Sequence, residues 1–336
     1  MKYSIGIIAA LLLVGGWYVL SNNGASESES SEMAQSETEK LSIVTSFYPL
    51  QFILEQIVGD LGTITNIGEG KDPHDFEPTI QNVLALQKAD LVVLQGADFE
   101  PWGDDVIARL EADGVPVTIA TANIELHEGG HHDEHGEDEE HEEESDDHEE
   151  GHGEEHGDAH GDEHGTYDPH TWLDPVLFSE VVANLTDEVV LLDPSNATVY
   201  RANAATLQSE LATLDTEHKN TLAACELDEV ITSHDAFGYL AERYEFEIHA
   251  IAGLSTQDTP SAITLAGLRE EAEEGISAIL LEQSSITAYG ETLARETGLE
   301  TLSINPISYI VPVGENYLTL MQSNLNTFAI ALKCNE

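Results

Sequence analysis

The sequence predicts an α/β protein of two lobes, each a mostly parallel sheet flanked by helices, joined by a long rigid helix. Three observations carry that expectation. The 336 residues suit two domains of ordinary size. Short apolar runs alternate with helical stretches in two series, the pattern of parallel sheets with helices on both faces. Between the series, Tyr200, Ala204, Leu207, Leu211, Leu214 and Leu222 recur by threes and fours. A helix over residues 195–223 would run about 40 Å at 1.5 Å per residue. It reads as a strut between lobes or as an ordinary amphipathic core helix.

The chain opens on Met1 and Lys2, then an apolar run from Ile5 to Leu20 interrupted only by glycines. One positive charge before a hydrophobic region predicts a signal peptide or an uncleaved membrane anchor over residues 1–20. No cysteine follows for lipid attachment. Residues 21–40 are rich in Ser and Glu and read as a flexible tether. The bulk of the chain is therefore expected outside the cytoplasm, in the periplasm or at the cell surface, touching membrane only through this segment.

The first lobe is expected over residues 41–177. Strands are predicted at 41–46, 63–67, 90–94 and 115–120. Helices are predicted at 47–58, from Thr79 and at 102–110. His74 lies in Asp72-Pro-His-Asp-Phe-Glu-Pro78, just beyond a strand end, and ligands of open parallel sheets bind outside such carboxyl ends. Residues 127–164 interrupt the lobe with ten His, 19 acids and seven Gly, and no side chain there larger than alanine is apolar. Such a segment cannot repay the entropy of ordering, so disorder is expected without metal. It reads as a solvated acidic linker, or as a loose chelator of transition metals through His131, His132, His135, His141, His148, His152, His156, His160 and His164. Ten histidines exceed what solvation needs, which favours metal contact.

After the loop comes Asp168-Pro-His-Thr-Trp-Leu-Asp-Pro175, which holds His170 in a turn. A helical linker is expected over residues 178–224, with a helix at 178–191 and a break at Asp193-Pro194. The second lobe, residues 225–336, repeats the rhythm. Its strands are predicted at 229–233, 247–251, 277–281 and 300–304. Its helices are predicted at 236–244, 262–274, 288–297 and 315–333. His234 follows one strand end and Asn305 another, so both face the expected crevice. The two cysteines, Cys225 and Cys334, are free thiols or a disulfide tying the last helix back to the start of this lobe.

Charge excludes one class of partner. There are 65 acidic and 11 basic residues, a net charge of −54. Outside residues 127–164 there remain 46 acids against the same 11 bases, so the acidity is global. Nucleic acid would be repelled. The surplus suits a solvated surface or one adapted to high salt. His74, His170 and His234 are the candidate ligands of one metal ion. Imidazole suits zinc and must be neutral to bind it. Each could equally be a structural histidine, and His218 and His249 are read as structural. Three histidines with an open position also describe catalytic zinc. No His-Glu-x-x-His motif occurs, however, and no general base stands beside the candidates, so an enzyme is not expected. A metal-buffering or adhesive surface protein is a further alternative.

These residues resemble a known family, the extracytoplasmic metal-binding solute-binding proteins of zinc and manganese ABC importers. The resemblance runs from about Leu41 to Lys333. It is strongest at Asp72–Thr79, Ala89–Val93, Asp168–Pro175 and Ser233–Leu240, and weaker at Ile251–Ser255 and Glu291–Pro306. It implies a monomer that captures a metal ion between lobes and hands it to an importer permease. It implies His74, His170 and His234 as ligands and Asn305 at the fourth ligand position, where the family usually has Asp. Three imidazoles favour zinc over manganese, and His234 stands where manganese members typically carry Glu. The His-rich loop is also typical of zinc members and would collect zinc near the cleft. Glu77 is expected to orient the turn around His74, and Trp172 to pack.

Overall fold

The computed structural model describes residues 40–128, 167–282 and 287–335. The expected signal or anchor, almost all of the tether, and the nine loop histidines from His131 to His164 lie outside the described residues. Among the described residues no helix is long and apolar enough to cross a membrane.

The first lobe is built from β1 (Leu41–Thr45), α1 (Tyr48–Val58), β2 (Gly62–Asn66), α2 (Ile80–Leu86), β3 (Leu91–Leu94), α3 (Gly103–Asp113) and β4 (Val117–Ile119). Its four strands are all parallel, in the order β2-β1-β3-β4. Next come α4 (Pro175–Leu192) and α5 (Ala197–Leu222). The second lobe then comprises β5 (Glu229–His234), α6 (Gly238–Tyr244), β6 (Glu247–Ala252), α7 (Ala262–Glu274), β7 (Ala278–Leu281), α8 (Thr287–Thr297), β8 (Glu300–Ser303) and α9 (Tyr317–Ala331). Its sheet repeats the first in the order β6-β5-β7-β8, again all parallel. The predicted two-lobe α/β class is therefore the observed one. In each sheet the chain reverses direction of growth between the first and third strands. That switch point opens a crevice at the carboxyl ends of the strands.

The helices between the sheets hold the lobes together. Along α5, Tyr200, Ala204, Leu207, Leu211, Leu214, His218 and Leu222 are buried on one stripe. The stripe packs on α4, on α1 of the first lobe and on α9 of the second. One apolar core consequently runs from Ile53 and Val93 through Leu185 and Leu207 to Leu325 and Phe328. The helix is both the strut and a core element. Caps and a local turn move three of the predicted helix starts. Helix α4 starts at Pro175, not Phe178, because the Asp174 carboxylate accepts the N–H groups of Val176 and Leu177 at 2.8 and 3.2 Å. Residues 194–196 form a tight 3-10 turn, so α5 starts at Ala197. Helix α9 starts at Tyr317, after reciprocal capping between Asn316 and Thr319.

Cys225 and Cys334 are joined by a disulfide across 109 residues of sequence. It fastens the end of α9 to the entrance of β5. Replacing both cysteines by alanine is expected to lower stability by about 2–5 kcal/mol, toward the upper end because the closed loop is long. Urea unfolding of the oxidised protein and the variant measures this. Coincident midpoints would refute it.

Candidate metal centre

The two crevices face each other, and each delivers histidines. His74 sits in the loop between β2 and α2. The Asp72 Oδ1 accepts the His74 backbone N–H at 3.1 Å, which turns the chain there. Glu77, expected to orient this turn, is exposed, and Asp72 makes the bond instead. His170 is wholly buried, and Asp168 Oδ1 accepts both its backbone N–H at 2.9 Å and its ring Nδ1–H at 2.8 Å. Gln95, at the end of β3, donates from Nε2 to Pro169 O at 2.6 Å and fixes this turn to the first sheet. His234 is the last residue of β5 and is buried. Its Nδ1 is hydrogen-bonded to the Glu282 carboxylate, which also accepts the Ser233 hydroxyl at 2.6 Å.

The three rings meet. Their centroids lie 5.5 Å (His74 to His170), 5.8 Å (His74 to His234) and 5.3 Å (His170 to His234) apart. One ring nitrogen from each falls within 4.8 Å of the other two. With Nδ1 of His170 and His234 held by carboxylates, their Nε2 atoms are buried and without a hydrogen-bond partner. A buried ring nitrogen without a partner is costly, and two such nitrogens in one cluster suit a shared metal ion. Phe99 packs edge-on to His74 at 5.1 Å, and Trp172 lies 5.1 Å from His170, forming an aromatic floor. The Trp172 indole N–H donates to Pro306 O of the second lobe at 2.7 Å.

Phe99 is presented by an unusual turn. Gly96, Ala97 and Asp98 all have φ between 56° and 85°, a left-handed run that costs about 1 kcal/mol or more at each non-glycine residue. Glu100, buried, holds it by accepting the Gln95 and Gly96 N–H groups at 2.8 and 3.1 Å and the Ser46 hydroxyl at 2.5 Å. The second lobe repeats this serine–glutamate pair as Ser233 and Glu282. There the carboxylate faces an imidazole, where Glu100 faces backbone amides.

Electrostatics separate the three imidazoles. Burial, then the neighbouring imidazoles, hold His74 and His170 well below the usual histidine range. Burial pushes His234 down too, but the charge and hydrogen bond of Glu282 outweigh it and the group ends above that range. Burial raises Asp168 to about 7. Glu282 ends below the usual carboxylate range, because His234 and Ser233 outweigh its burial.

Asn305 stands beyond β8, and its amide closes its own loop. Its Nδ2 donates to Ile310 O at 2.9 Å and its Oδ1 accepts the Ile307 N–H at 2.7 Å. An aspartate could not make the first of these bonds. His218 is buried on α5, bonded to Leu214 O at 2.8 Å and stacked on Tyr244. A second grouping, Glu229, Glu247 and His249, lies at the amino ends of β5 and β6, away from the crevice. Both ring nitrogens of His249 already face carboxylates, Glu229 and Glu271, each at 3.1 Å. Glu282 and the orienting role of Asp168 are functional features that the sequence expectations above do not include. Position two residues before His170 was a signal for Asp168. Position directly after the apolar strand 278–281 was one for Glu282.

Comparison with known proteins identifies the family. A family model described as the periplasmic component A of the zinc-uptake complex matches residues 43–331. The chain is 33% identical over 332 residues to the high-affinity zinc uptake system protein ZnuA of Bacillus subtilis, covering 97% of this chain and 96% of that one. It is 33% identical over 292 residues to the zinc-binding lipoprotein AdcA of Streptococcus pneumoniae. That alignment covers 85% of this chain but 54% of AdcA, so the chain spans about half the length of that relative. The crystal structure of the Zn(II)-bound ZnuA-like domain of pneumococcal AdcA is similar, with a TM-score of 0.68 at 29% identity over 87% of this chain and 99% of that domain.

Proposed function

The chain belongs to the family of periplasmic zinc-uptake components, and from that premise we propose that it captures Zn²⁺ between its lobes and delivers it to the permease of an ABC importer. It is a transport component and not an enzyme. The observation that carries the proposal is the convergence of His74, His170 and His234, with two Nε2 atoms buried and unpartnered. Zinc bonds to nitrogen at about 2.0–2.1 Å, which places tetrahedral ligand atoms about 3.3 Å apart. Asp168 and Glu282 hold two of the rings in the tautomer that turns Nε2 inward. Ionised, the two carboxylates also balance the charge of the cation, which makes a dry site affordable. The fourth position suits water, since both ends of the Asn305 amide are held within its own loop by Ile307 and Ile310. Three imidazoles select zinc over manganese, which prefers oxygen donors. The His-rich segment would raise the local zinc concentration near the cleft.

The test is metal content and competitive Zn²⁺/Mn²⁺ binding with residues 129–164 deleted, so that loop histidines do not mask the cleft. One tightly held zinc per chain, not displaced by equimolar manganese, is expected. Manganese preference, or no tight zinc, would overturn the assignment.

A further inference from the structure

In the loop that carries His74, the Asp72 side chain has two tasks, one of them on the opposite lobe. Asp72 Oδ1 accepts the His74 N–H, and Asp72 Oδ2 accepts the Thr256 hydroxyl at 2.8 Å. Thr256 lies 184 residues away in the turn between β6 and α7, and only 2% of it is exposed. That turn is stiff. The Ser255 N–H donates to Asp258 Oδ2, the Asp258 N–H to Ser255 O, and the Gln257 N–H to Ser255 Oγ, each at 3.1 Å. Its root is tied to another ligand, because Gly253 O accepts the N–H of Asp235, the neighbour of His234, at 3.0 Å. A continuous path therefore links His234 to His74 without passing through a metal. It runs through Asp235, Gly253, Thr256 and Asp72.

Building on the zinc-capture reading, we propose that Thr256 is a positioning residue that latches His74 in its ligating place when the lobes are closed and so sets the rate of zinc release. His170 and His234 are buried, whereas His74 is the partly exposed member of the trio and sits in a loop outside helix and strand. Release therefore begins with His74. With the latch intact, His74 withdraws only if Asp72 lets go of the second lobe, so ligand loss and lobe opening occur together. Without it, the loop leaves alone. The bond is also charge-assisted and sheltered, the kind whose loss is felt.

The test uses the full chain loaded with one equivalent of Co²⁺, whose three-histidine tetrahedral complex absorbs strongly in the visible. Release to excess chelator is followed by stopped flow. Thr256→Val keeps the shape and removes the hydroxyl. It is expected to speed release on the order of tenfold to a hundredfold, with the association rate changed far less. Thr256→Ser restores the hydroxyl and is expected to restore slow release. Wild-type release from the valine variant overturns the latch. So does a serine variant as fast as the valine one, since shape and not the hydroxyl would then matter. A wild-type chain that forms no tetrahedral complex, or forms one that His234→Ala leaves intact, overturns the three-histidine site itself and the latch with it.

Discussion

His234→Ala is expected to weaken zinc binding by a hundredfold to a thousandfold. Structural zinc sites bind with about 10–16 kcal/mol over four ligands, so one ligand corresponds to about 3–4 kcal/mol. Water can fill the vacated position but is a poorer donor than a neutral imidazole. The substitution also strips Glu282 of the partner that keeps it ionised. Burial then pushes its carboxyl up, so the charge that balances the bound cation is lost as well. Competition against a chelator of known affinity, with residues 129–164 deleted, measures the loss. An affinity within threefold of wild type would remove His234 from the site. His218→Ala is the matched control. It deletes an equally buried imidazole that bonds Leu214 O far from the crevice, so it should alter stability and not zinc affinity.

Legibility in the sequence followed the range of the interaction. The central strands β3, β5 and β7 stood out as apolar runs, because a parallel strand buried on both faces declares itself, while the edge strands β2 and β8 were placed by the strand–helix rhythm. The two-lobe plan followed from the repeat of that rhythm. Helix ends are less visible: apolar spacing starts α4 at Phe178, whereas the Asp174 cap and Pro175 start it a turn earlier. The three histidines were visible because prolines and aspartates or a strand end punctuate each of them. What orients them was visible only where it is local, as with Asp168 two residues before His170. Glu282 reaches His234 across 48 residues, and Thr256 reaches Asp72 across 184. No spacing rule connects such pairs, since only the pairing of β5 with β7 and the facing of the lobes bring them together. Glu77 shows the opposite error. Nearness in sequence suggested that it holds the His74 turn, but the backbone there points Asp72 inward and leaves Glu77 in solvent.

Zinc affinity is expected to fall about a hundredfold per pH unit between pH 7 and 5. The sign follows from which groups hold protons before metal arrives. His74 and His170 are held well below the usual histidine range, so neither competes with zinc in this window. His234 lies above that range and carries a proton that zinc must displace. Asp168 titrates at about 7, and zinc on His170 favours its ionised form, which receives the Nδ1–H. Two protons therefore leave per zinc bound below pH 7, and each makes affinity tenfold weaker per unit of acidification. Above both titrations the affinity levels off. Three ordinary imidazoles would behave differently, with no dependence above about pH 6.5 and three protons well below it. Glu282→Gln separates the contributions. Without the anion that sustains its proton, His234 has burial against it and only the charges of Asp235 and Asp72 for it, and the dependence should drop toward the single proton of Asp168. The same variant should bind about tenfold to a hundredfold more weakly at pH 8, because the outer carboxylate no longer orients the ring. Chelator competition across pH, or proton release counted by calorimetry in buffers of different ionisation enthalpy, reads both quantities. Affinity independent of pH from 7 to 5, or an unchanged slope in Glu282→Gln, would show that His234 is not the ligand through which acid expels the metal.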